Sequence, residues 1–101
     1  MIIRGGANVY PAEVERVIAE FPGVAASAVV ALAGERLGER VVALVEPQPG
    51  TTVDLDALRR HLERQLARYK VPERIEPVDA LPRNAMGKIV RTGLADRFTD
   101  R

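Results

Sequence analysis

Val24-Ala25-Ala26-Ser27-Ala28-Val29-Val30-Ala31-Leu32, then Gly34-Glu35-Arg36-Leu37-Gly38-Glu39-Arg40, then Val41-Val42-Ala43-Leu44-Val45, is the stretch on which the fold turns. Its first run is apolar and rich in small or β-branched residues. The run stops after nine residues, which suits a buried strand better than a core helix. Two glycines and four charges interrupt it before the apolar pattern resumes, and Pro47-Gln48-Pro49-Gly50 ends the second run. The pattern predicts a β-hairpin with a long exposed tip.

Upstream of the hairpin, Pro11 has no amide hydrogen to satisfy and suits a first helical turn, while Glu13 and Glu15 place negative charge at the helix's positive end. Val14, Val17, Ile18 and Phe21 recur at spacings of three and four, predicting a helix from Pro11 to about Glu20, broken by Pro22-Gly23. Residues 2 to 10 read as a short strand and loop, in which Gly5-Gly6 permits positive backbone angles and the close approach of a ligand or chain.

Downstream, Asp54 or Thr52 can cap a second helix. Its Leu55, Leu58, Leu62 and Leu66 form an apolar stripe for the core, with Arg59, Arg60, Glu63, Arg64 and Arg68 facing outward until Pro72 closes the element. Ile75 to Val78 reads as a short edge strand interrupted by Pro77, Ile89-Val90 as a short extended piece, and Thr92 to Phe98 as a terminal helix with Leu94 and Phe98 inward. The expected class is α+β: one small mixed domain, residues 1–101, of helices packed on a short, mostly antiparallel sheet.

A chain of 101 residues can build one modest core but not, in addition, an enclosed pocket for a bulky cofactor, so chemistry on a large substrate calls for a second surface. Fifteen basic and 14 acidic side chains leave a net charge of +1, which argues against nucleic-acid binding through summed charge. The basic run Arg59, Arg60, Arg64, Arg68 and Lys70 holds the single aromatic Tyr69, without the repeated interleaving of aromatics and cations or the recognised motif that would point to single-strand binding. Without cysteine there is no disulfide, thiolate nucleophile or thiolate metal site, and no metal-ligand cluster is present. His61, among arginines, reads as a solvated helix-surface residue. No segment approaches the roughly 20 apolar residues that span a bilayer, and cytoplasm is the expected location.

The basic segment Leu81-Pro82-Arg83-Asn84-Ala85-Met86-Gly87-Lys88-Ile89 reads as a mobile loop, and Lys88 is the side chain best placed to meet a phosphate or carboxylate. Gly87 gives the loop clearance to enter a narrow cleft. The abrupt start, Met1 followed at once by Ile2-Ile3, suggests a domain cut from a longer polypeptide, a free-standing small protein being the alternative.

Three stretches, in order, carry a family pattern across most of the chain: Gly5-Gly6-Ala7-Asn8-Val9-Tyr10-Pro11-Ala12-Glu13-Val14-Glu15, Tyr69-Lys70-Val71-Pro72, and Leu81 to Ile89. Together they resemble the C-terminal domain of the AMP-forming acyl- and aryl-CoA synthetases, relatives of luciferases and of peptide synthetase adenylation domains. The resemblance implies a large N-terminal domain, absent here with its hinge, that binds ATP with Mg²⁺ and makes an acyl-adenylate. It implies that Lys88 is the adenylation lysine, and that Gly5, Gly6 and Ala7 line the tunnel through which a thiol, usually of CoA, reaches the adenylate.

Tyr69 and Lys70 match a segment near the nucleotide end of CoA in some relatives, which implies Tyr69 stacked on the adenine and Lys70 or Arg74 at a phosphate; Tyr69 reads equally as a core or interface aromatic. Val71 and Glu73 depart from the more basic versions of that segment, and Glu73 is expected to repel a phosphate. Asn8, Glu13 and Glu15 are expected to hold the glycine loop and the following helix. The implied activity is that of an ATP-dependent ligase, with this chain inactive by itself. A non-catalytic regulatory or interaction module keeping the same fold is the alternative.

Overall fold

The computed structural model describes residues 1–33 and 38–98, apart from the side chains of residues 97 and 98. The tip expected between the two apolar runs lies outside the described residues at positions 34–37, as does the inward placement of Phe98. Strands β1 (Ile2–Arg4) and β2 (Ala7–Val9) precede helix α1 (Pro11–Ala19). Then come β3 (Val24–Ala33), β4 (Glu39–Pro47), helix α2 (Leu55–Gln65) and β5 (Arg74–Pro77), with 3₁₀ turns at Arg68–Lys70 and Leu94–Phe98.

The expected hairpin is the centre of the molecule: β3 and β4 pair antiparallel, Val29 opposite Ala43, with an irregularity between Val24 and Ala26. β5 joins the other side of β4 in parallel, Ala43 opposite Ile75, giving the order β3-β4-β5. A parallel pair needs a crossover, and α2 lies within it. Pro77 sits at the end of an edge strand, where its missing N–H costs no ladder bond. The class is therefore the small mixed α+β domain expected.

Period-two alternation gives the sheet two buried faces. Val29, Val41, Ala43 and Val45 pack with Val14, Val17 and Ile18 of α1 and Leu58 and Leu62 of α2, together with Ile2, Val9, Leu66 and Val71. Ala28, Leu32, Val42 and Leu44 point the other way and are covered by Val78, Leu81 and Leu94, with Ile89 and Ala95 packed at the margin. One face thus carries the helices and the other the C-terminal segment.

Pro11 occupies the first turn of α1 as expected. The cap of α2 is Asp54, whose carboxylate accepts from the Ala57 amide at 3.1 Å. Two expectations about α2's polar side fail. Arg59 is half-buried rather than free in solvent: its guanidinium donates to the carbonyls of Pro72 (2.8 Å) and Glu73 (3.1 Å) in the crossover. His61 is half-buried, its ring 5.8 Å from that of Phe21 and Nε2 3.4 Å from the Glu20 carboxylate, because it lies where α2 meets the end of α1.

The last element is also shorter than expected. Gly93, at φ 83°, precedes a single 3₁₀ stretch, and Ile89 makes one bridge to Arg83 rather than a strand. Among the described residues no helix is long and apolar enough to cross a membrane, and no group of His, Asp or Glu is arranged to hold a metal ion.

Candidate functional site

Gly5 and Gly6 are the two residues between β1 and β2, and both have positive φ (57° and 85°). Among the two-residue turns whose backbone matches the twist of the flanking strands, type I′ requires this of both central residues. The strand and loop expected at residues 2–10 is therefore a closed β-hairpin, rooted in the core by Ile2 and Val9. A Cβ added at Gly6 would meet no atom within 4 Å, so the turn's outer surface is open.

Arg4 fastens this hairpin to the 3₁₀ turn bearing Tyr69. Its Nη1 donates to the carbonyls of Tyr69 and Val71, both at 3.4 Å, and its Nη2 to Glu73 at 3.0 Å. Glu73 also accepts from Arg40 Nε at 2.6 Å. Two guanidiniums thus stand against the Glu73 carboxylate and offset its charge. Arg4, Gly5, Ala7, Arg68 and Tyr69 line one open groove of about 500 Å³. Two of the three sequence motifs meet there.

Lys70 and Arg74 point elsewhere. Lys70 Nζ pairs with Glu13 of α1 at 3.0 Å and lies 5.7 Å from the Tyr69 ring centroid; the Glu13 hydrogen bond raises its pKa against the opposing effect of desolvation. Arg74 pairs with Glu76 at 2.7 Å, beside α2 rather than in the groove. Arg68 is exposed and lines the groove, with no carboxylate paired to it among the described residues. Sequence reasoning placed Arg68 on the outer face of a helix and passed over Arg4. The available signal was adjacency, Arg68 to Tyr69 and Arg4 to Gly5.

Lys88 stands apart, on the segment that covers the second face of the sheet. The loop that carries it is a hydrogen-bonded arch. At its base, Glu46 of β4 accepts from the Leu81 amide (2.8 Å) and from Arg83 Nη1 (3.1 Å). The Leu81 hydrogen bond holds the Glu46 carboxyl below its ordinary pKa, desolvation opposing and Arg83 adding to the effect. At the tip, Asn84 Oδ1 accepts from the amides of Met86 (2.9 Å) and Lys88 (3.1 Å). Gly87, at φ 83°, closes the turn onto the Asn84 carbonyl at 2.9 Å.

Beyond the arch, Arg91 Nη2 binds Glu15 of α1 at 2.8 Å, while Glu15 accepts from the Val29 amide (2.8 Å) and Arg91 donates to the Val29 carbonyl (3.3 Å). This clip caps the open edge of β3. It also raises the Arg91 pKa, the Glu15 hydrogen bond outweighing desolvation. Glu13 and Glu15 thus hold α1 to other segments, while Asn8 is exposed. The Lys88 side chain is exposed, and no carboxylate pairs with it among the described residues.

The chain therefore displays two separate chemical surfaces: an aromatic and cationic groove beside a glycine turn, and an uncommitted ammonium on a braced arch. Comparison with known proteins gives a consistent picture. Residues 13–88 match the model of the AMP-binding enzyme C-terminal domain. The indoleacetate–CoA ligase of Aromatoleum aromaticum is 48% identical over 89 residues, covering 88% of this chain and 18% of that protein. The fatty acid–[acyl-carrier-protein] ligase ScoC of Streptomyces coeruleorubidus is 47% identical over 97 residues, 96% of this chain and 19% of that protein. ATP-bound MatB from Rhodopseudomonas palustris superposes with a TM-score of 0.90 at 40% identity, covering 99% of this chain and 20% of that one. The chain spans about a fifth of the length of these relatives.

Proposed function

The chain belongs to the AMP-binding enzyme C-terminal domain family, and on that premise we propose that it is the mobile domain of an ATP-dependent, AMP-forming acid–thiol ligase, an acyl- or aryl-CoA synthetase. In this reading it works against a large adenylate-forming domain, which binds ATP, Mg²⁺ and the carboxylic acid.

Lys88 serves the first step. A carboxylate oxygen attacks the α-phosphorus, the bond to the pyrophosphate oxygen breaks, and pyrophosphate leaves. Two anions must approach one another, and an ammonium between them offsets the charge that builds up. Lys88 suits this because no carboxylate of its own domain competes for it among the described residues.

The groove serves the second step, in which a thiolate attacks the acyl carbon, the bond to the AMP oxygen breaks, and AMP leaves. Gly5, Gly6 and Ala7 present backbone with little side-chain bulk to the pantetheine arm. The exposed face of Tyr69 suits an adenine, and Arg68 suits a phosphate of the nucleotide end of CoA. Lys70 and Arg74 would have to give up Glu13 and Glu76 to meet that phosphate, so Arg68 is the better placed cation.

The observation that carries the proposal is the separation of the two surfaces, the Lys88 segment over one face of the sheet and the groove beside the core of the other. One active centre uses both only if the domain turns between steps. The acid pocket lies in the partner domain, and relatives named for indoleacetate and for fatty acids leave the acid open.

The test is reconstitution. The chain is added to the adenylate-forming domain of the same ligase, expressed without its C-terminal part, and acyl-CoA formation is followed. Restored turnover that saturates with added chain supports the proposal. Binding without turnover would instead support a regulatory module.

A further inference from the structure

We propose that Asn84 is the positioning residue for Lys88, an inference that rests on the reading of Lys88 just given. Every side chain from Pro82 to Lys88 is exposed, Met86 to 79%, so the arch is not pinned to the core by apolar contact at its tip. The tip's shape depends on hydrogen bonds, and those converge on one residue, whereas Val90 donates to the Pro82 carbonyl at the base (2.8 Å). Asn84 Oδ1 accepts from the Met86 amide (2.9 Å) and the Lys88 amide (3.1 Å). The Asn84 amide donates to the Lys88 carbonyl, and the Asn84 carbonyl accepts from Gly87, both at 2.9 Å.

Both backbone polar groups of Lys88 are therefore held by Asn84. That fixes the direction in which the lysine leaves the backbone, while its four-carbon stem stays free to reach. A carbonyl oxygen on a two-bond arm can bond the amides two and four residues on; an aliphatic side chain cannot. Asparagine also brings no charge. A carboxylate at this position would stand beside the ammonium and compete with the anions it is meant to meet. The arch's base is held separately, by Glu46 and by the Arg91–Glu15 clip, so loss of the Asn84 side chain would loosen the tip and leave the domain standing.

The test uses the complete ligase, this chain together with its adenylate-forming domain, in the parent form and as Asn84→Ala, Asn84→Ser and Lys88→Ala. Adenylate formation is read as pyrophosphate release without thiol, and thiolation by supplying the acyl-adenylate and CoA. Asn84→Ala should lower kcat for adenylate formation by about 10- to 100-fold, the scale of a misplaced catalytic group, with thiolation within twofold of the parent. Asn84→Ser, a neutral acceptor on a shorter arm, should recover part of the loss. Amide hydrogen exchange at Met86 and Lys88 should quicken in Asn84→Ala and leave β4 unchanged.

Adenylation within twofold of the parent in Asn84→Ala would overturn the proposal, as would equal loss of both half-reactions or no recovery in Asn84→Ser. Undiminished adenylation in Lys88→Ala would overturn the underlying reading, and the role of Asn84 with it. Loss in Lys88→Ala without loss in Asn84→Ala would sink the present proposal alone.

Discussion

Glu46 holds the base of the Lys88 arch with a single oxygen, shared between the Leu81 amide and Arg83. Because folding lowers its pKa, its contribution is complete above the pKa of the unfolded chain and is lost as pH falls through the lower folded value. The parent should thus lose stability relative to Glu46→Gln as pH drops from about 6 to about 3, across the carboxylate range. Chemical denaturation of the two at several pH values checks this, and a gap between them that does not change with pH would refute it. Such residues mark where the sequence fell silent. The positive backbone angles of Gly5 and Gly6 were legible because that geometry is local to the glycine pair. Glu46 acts on a residue 35 positions away and Arg4 on one 69 positions away, and no local spacing reports such a pairing. Arg59 looked solvent-facing because helical periodicity places a side chain on a face but does not report a loop returning over it.

Gly6 allows the hairpin to be tested without steric confusion. An added Cβ there would have no atom within 4 Å and φ is 85°, so Gly6→Ala carries backbone strain alone, about 1–2 kcal/mol. Gly50 has the same open surroundings and a φ of 75°, yet lies between β4 and α2, outside the β1–β2 turn, so Gly50→Ala is the matched control. Thermal melts should show similar losses, while only Gly6→Ala slows thiolation; equal slowing by both would deny the hairpin a specific part. The elements read best from sequence were the long ones. β3 and β4 carry sustained apolar runs, and α1 and α2 carry clear stripes. β1 and β2 have three residues each, too few for periodicity to register. The parallel pairing of β5 follows from the crossover through α2, and orientation leaves no mark in four residues.

The sheet of the whole domain separates two apolar layers, and each layer supports one surface. Leu62→Ala on the helix face and Leu44→Ala on the other should each cost about 2–5 kcal/mol, both side chains being fully buried. Hydrogen exchange should tell them apart: Leu44→Ala loosens the segment from Val78 to Leu94 that carries Lys88, whereas Leu62→Ala loosens α2. Indistinguishable exchange patterns would mean that the two layers open as one unit. The central claim is that one small domain lends an ammonium to one step and a glycine turn to the next. Its most direct test is the pair of half-reactions in the complete ligase carrying Lys88→Ala. Adenylate formation should fall by about 10²- to 10³-fold, the scale of losing one charge-stabilising group, with thiolation of supplied adenylate unchanged. Undiminished adenylation, or equal loss of both steps, would contradict the account.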